Sequence, residues 1–97
     1  MKKFIQGTYE LDKGVTDIVT YEEGKKDEIL KIADWCKDSG IIFNVGTAED
    51  NTYLCEYKIK CDTKKECNQL LRELKQRLKG CFPYVRLLFQ GSGDSLY

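Results

Sequence analysis

The residues with the most chemical potential in this chain are its five cysteines, Cys36, Cys55, Cys61, Cys67 and Cys81. A cysteine thiolate is both a nucleophile and a soft metal ligand. Cys55, Cys61 and Cys67 are evenly spaced, but the total is odd and no CxxC pair occurs. That arrangement supports neither a disulfide framework nor a zinc site. The expected role is that of a small buried hydrophobe in a reducing cytosol. The chain has no histidine, which removes cysteine–histidine and serine–histidine–aspartate nucleophiles. Sixteen carboxylates remain for acid–base work, yet they are scattered over helix faces and turns, where solvated surface is the expectation. No glycine-rich loop follows a strand and opens a helix to cradle a phosphate. The sequence thus predicts no catalytic, metal or cofactor site.

Charge directs attention to binding instead. Sixteen basic residues balance sixteen acidic ones over 97 residues. A dedicated nucleic-acid binder normally carries a basic excess, so any such role would need a local patch. One is present in the second predicted helix, where Lys64, Lys65, Asn68, Arg72, Lys75 and Lys79 gather on one side. Asp27, Asp34, Asp38 and Glu23 gather on the outer side of the first. Two solvated helix faces would look the same, as would a contact surface for an acidic protein or a phosphate backbone.

The elements that position these residues follow from periodicity. Residues 3–11 read as a strand with Ile5, Tyr9 and Leu11 on one face and Phe4, Gln6, Thr8 and Glu10 on the other. Gly7 marks a bulge or a close backbone approach. Residues 15–21, VTDIVTY, are rich in β-branched side chains and offer either an extra short strand or a loop into the first helix. That helix is expected from Glu23 or Lys25 to Lys37, with Thr20 and Glu23 as a capping box. Its buried stripe is Ile29, Ile32, Ala33 and Cys36, and Gly40 is the left-handed cap residue. Strands at 41–46 and 52–61 flank a turn at 48–51. The second of them alternates cleanly, with Tyr53, Cys55, Tyr57, Ile59 and Cys61 on one parity. The second helix opens with a capping box at Thr63 and Glu66, buries Cys67, Leu70, Leu71, Leu74 and Leu78, and ends at Gly80. A last strand at 84–90 points Val85, Leu87 and Phe89 inward. Residues 91–97, GSGDSLY, read as a flexible tail, leaving 1–90 as a single domain.

The order strand, helix, strand, strand, helix, strand is that of a ferredoxin-like β-α-β-β-α-β sandwich. It is an α+β fold with an antiparallel sheet and two helices on one face. Right-handed crossovers place the first and third strands at its centre. Length and element order, with Asn44 on the second strand and an acidic turn after it, are similar to the acylphosphatases. That resemblance implies an arginine in the loop after the first strand to hold the phosphate. The arginines here are Arg72, Arg77 and Arg86, so the resemblance stops at the fold. RNA-recognition modules of this topology stack bases on aromatics of the two central strands. Here Tyr9, Tyr53 and Tyr57 fall on the covered parity, leaving Gln6, Thr8, Glu56 and Lys58 on the open face. Phe4, Ile42, Leu54, Tyr84 and Leu88 are scattered apolar groups of that face; if Phe4, Leu54 and Leu88 were contiguous, they would mark a homodimer or partner contact.

These observations predict a small non-enzymatic protein-interaction domain of the accessory or inhibitor type. It would dock on a protein partner through the helix layer or the sheet face, with the basic face of the second helix as its binding residues. The alternative is a nucleic-acid-binding module using that same face. No run of eighteen apolar residues is present to span a bilayer, and a cytoplasmic location is expected.

Overall fold

The computed structural model describes residues 2–11, 18–47, 53–82 and 84–95. The elements are β1 (Lys2–Leu11), α1 (Ile18–Asp38), β2 (Ile41–Thr47), β3 (Tyr53–Cys61), α2 (Lys64–Cys81) and β4 (Val85–Ser95). The four strands form one antiparallel sheet in the order β2-β3-β1-β4. This is the β-α-β-β-α-β sandwich that the sequence predicts, with β1 and β3 central. No helix among the described residues is long and apolar enough to cross a membrane.

Alternation builds the core. Ile5, Tyr9 and Leu11 of β1 and Tyr53, Cys55, Tyr57 and Ile59 of β3 are all buried beneath the helices. Ile32 and Cys36 of α1, with Cys67, Leu74 and Leu78 of α2, close the layer from above. Ile29, Leu70 and Leu71 pack at its margin. α1 lies on β2, whereas α2 lies on β1 and β3. The Arg77 guanidinium of α2 sits 4.4 Å from the ring centre of Trp35 on α1, joining the two helices by a cation–π contact.

Two caps follow the sequence closely. The Thr63 hydroxyl accepts from the Glu66 amide at 3.2 Å, satisfying one orphan donor of α2. Gly40, with φ of 77°, ends α1 in the left-handed region. Gly7 is a close approach, for a Cβ there would overlap the Phe89 carbonyl and the Tyr57 side chain.

Four expectations are corrected. Residues 18–21, offered as extended, form the first turn of α1; 15–17 and the turn at 48–51 lie outside the described residues. Thr20 is therefore inside the helix and cannot be its N-cap. α2 does not stop at Gly80 but runs to Cys81, and the Phe82 amide still donates to Leu78 at 2.8 Å. The extra helical residue brings Phe82, 2% exposed, into the core beside Tyr53. The glycine- and serine-rich segment from 91 onward is the second half of β4, paired with Lys2–Gln6 as far as Ser95; residues 96 and 97 are outside the described set. Backbone pairing needs no apolar side chain, and β1 offers a free edge along its whole length. Finally, Leu87 and Phe89 do not point into the core: they are 44% and 56% exposed. The register with β1 shifts between Thr8 and Tyr9, so Leu88 is the unpaired residue of a bulge. Leu87 stays opposite Tyr9 and Phe89 moves opposite Thr8, onto the open face.

Candidate interaction surface

The basic arc of α2 forms as its spacing predicts. At 3.6 residues per turn, Lys64, Lys65, Asn68, Arg72, Lys75 and Lys79 fall within about 100° of the helix circumference. All six are exposed, and none of the five cations makes an ion pair among the described residues. The arc lies on the flank away from Arg77 and α1. It therefore overlooks β4, the strand on the far side of β1. Lys64 confirms this side directly, lining a cavity of about 220 Å³ with Lys3, Ser92, Gly93 and Asp94.

β4 itself is unusually bare. It is an eleven-residue strand at the end of the sheet, bonded among the described residues to β1 alone. Neither helix packs extensively on it. Leu87, Leu88 and Phe89 are consecutive and each at least 44% exposed. Edge strands ordinarily carry charges or bulges that discourage pairing. β4 has the bulge at Leu88, but its charges, Arg86 and Asp94, stand only near the two ends, Asp94 ion-paired to Lys3, and the apolar trio sits between them.

The open sheet face differs from its expected character. Phe89 joins it by way of the bulge, and Phe4 of β1 carries the Lys58 ammonium 5.1 Å from its ring centre. A shallow groove of about 230 Å³ runs between Phe89 and the Ile42 and Asn44 side, floored by Gln6, Thr8 and Glu56. Phe4 and Leu54 do not meet, because their β1–β3 register partners are Lys60 and Glu10, at opposite ends of the strand pair. The exposed apolar run is therefore on β4, with Leu87 on the helix side, Leu88 at the bulge and Phe89 on the open face; the sequence hides the position of Phe89 because the bulge, and not side-chain parity, sets it.

The cysteines are packing groups in this geometry. Cys36, Cys55 and Cys67 are buried, Cys61 and Cys81 half-buried, and all five are free thiols. Burial pushes the Cys36 thiol up to about 11, against the opposing pull of the Arg77 cation. Burial, followed by the neighbouring Cys67, does the same to Cys61. Cys55 is raised still further by burial. Each of these three thiols is harder to ionise than a free one, the reverse of an activated nucleophile. Among the described residues no cluster of three or more histidine, cysteine, aspartate or glutamate side chains is placed to hold a metal ion. Asp27, Asp34 and Asp38 are exposed on α1, and the Glu23 side chain lies outside the described set. Against known proteins, no family model matches this chain, and no curated protein matches it at a significant level.

Proposed function

We propose that this chain is a small non-enzymatic interaction domain that binds a protein partner through β4 and the surface beside it. The observation carrying this reading is the run Leu87-Leu88-Phe89, exposed on a strand that is at the sheet edge among the described residues and on which neither helix packs extensively. An edge strand offers a row of backbone donors and acceptors, and an adjacent apolar group rewards whatever pairs with it. The five free thiols support placing the protein in a reducing, cytoplasmic setting. A second reading, a nucleic-acid-binding module, is favoured by the unpaired basic arc of α2 alone.

Capture from the native host's lysate separates the two. The immobilised chain is compared with a Leu88→Lys, Phe89→Lys variant, with and without nuclease. The expected result is a stoichiometric polypeptide retained after nuclease treatment and lost with the variant. Equal capture by both forms would refute binding at β4, and retention abolished by nuclease would move the function to nucleic acid.

A further inference from the structure

We infer that the partner is an extended acidic segment that adds to the outer edge of β4 as a fifth strand, its acidic side chains turned toward the basic arc of α2. This rests on the protein-binding reading above and names the partner's chemistry.

Three observations meet at one place. The outer edge of β4 has no strand beside it among the described residues. A strand added there lies two spacings, about 10 Å, from β1, on the side toward which α2 turns Lys64, Asn68, Lys75 and Lys79. The helix-side face of β4 carries Leu87, Gln90, Ser92 and Asp94, as their β1 partners Tyr9, Gly7, Ile5 and Lys3 require. Only one of these is acidic, and it is already bound to Lys3. Three cations, Lys64, Lys75 and Lys79, therefore overlook an open position in the sheet, and no anion is supplied to them among the described residues.

A strand presents alternate side chains to opposite faces. An incoming segment with acids at every second position would set them beneath the basic arc. Its intervening apolar residues would lie next to Phe89 on the open face. Main-chain bonds would supply affinity and the two rows of side chains would supply specificity. Charge also selects among occupants. A second copy of β4 would bring one arginine and one aspartate, net zero, and a second basic arc facing the first. An oligonucleotide would satisfy the cations but leave the backbone edge of β4 unused.

The test begins with selection of random twelve-residue peptides displayed on phage against the intact chain. Enriched peptides are expected to carry aspartate or glutamate at alternate positions. A labelled selected peptide should slow hydrogen exchange at β4 amides and bind more weakly as salt rises. The Lys75→Glu, Lys79→Glu variant should bind at least about tenfold more weakly, a loss of ~1.4 kcal/mol. Both residues are exposed, so circular dichroism should show the fold intact. Enrichment without acidic alternation, or affinity unchanged by charge reversal, would overturn the inference. Loss of binding in Leu88→Lys, Phe89→Lys but not on charge reversal would leave the protein-binding reading standing and remove the acidic partner. Concentration-dependent self-association that blocks the peptide would assign β4 to a second copy. Displacement of the peptide by a single-stranded oligonucleotide without protection of β4 would assign the arc to nucleic acid.

Discussion

Gly7→Ala is the sharpest perturbation of this fold. Gly7 is a buried position of β1, and its missing side chain is replaced by two neighbours: the Phe89 carbonyl of β4 and the Tyr57 side chain of β3. A Cβ would collide with both. The carbonyl belongs to a ladder backbone next to the bulge and cannot rotate away. Tyr57 is 3% exposed and stacks on Tyr9 with ring centres 5.3 Å apart, so it cannot swing aside without opening the core. Overpacking a filled core costs typically ~1–3 kcal/mol, and with one contact to backbone the upper end applies. For a domain of this size ~3 kcal/mol lowers the melting temperature by roughly 12–24 °C. Urea and thermal unfolding followed by circular dichroism measure it. Gly46→Ala is the control, since a Cβ there meets nothing within 4 Å. Adding Tyr57→Phe to Gly7→Ala removes the hydroxyl contact but leaves the carbonyl, so stability should return only in part. A Gly7→Ala midpoint indistinguishable from wild type would show that β4 does not approach β1 as described.

Three further outcomes follow from the same structure. Leu74→Ala should cost ~2–5 kcal/mol, because Leu74 is fully buried at the centre of the α2 stripe; an unmoved melting midpoint would show that α2 presents another face. Gly80→Ala should stabilise the chain by ~0.5–1 kcal/mol, since Gly80 is inside α2 with open space where a Cβ would go. Destabilisation there would instead mark a helix that terminates at the glycine. Stability should also fall on the alkaline side. The folded Cys36 and Cys61 thiols are raised from 9.0 to about 11, so between those values the unfolded chain binds fewer protons than the folded one. The stabilisation is complete below about 9 and is lost as pH rises through 11. The urea midpoint should decline over that window, and less so in Cys61→Ser; a flat profile would contradict the burial.

Much of this was legible because buried faces impose periodicity. Tyr53, Cys55, Tyr57 and Ile59 alternate, and Cys67, Leu74 and Leu78 recur at helical spacing, because each pattern faces one shared core. The Thr63 cap and the Gly40 terminus were legible because their backbone geometry demands those residue types. The exposed arc on α2 was readable for the complementary reason, since helical spacing fixes which residues share the remaining flank. The start of α1 was not, because the β-branched residues Ile18, Val19 and Thr20 have weak helix propensity and context overrides it.

The two misreadings of β4 have one origin, and it bears on function. Taking Leu87 and Phe89 as core and Gly91–Ser95 as a loose tail both assume that a strand is recognised by what its side chains bury. β4 is held otherwise. Its backbone completes β1 from Lys2 to Leu11, and its glycines give close approach to aromatic rings: a Cβ on Gly93 would lie 3.2 Å from Phe4, and one on Gly91 3.4 Å from Phe89. A strand stabilised through its inner edge is free to carry exposed apolar residues and an open outer edge. Natural edges are blunted by charges, bulges or a covering element; here one bulge interrupts the edge at Leu88 and the charges stand only at positions 86 and 94. Departures from local rules concentrate where a protein uses its surface. In this chain they converge on the strand beneath the basic arc.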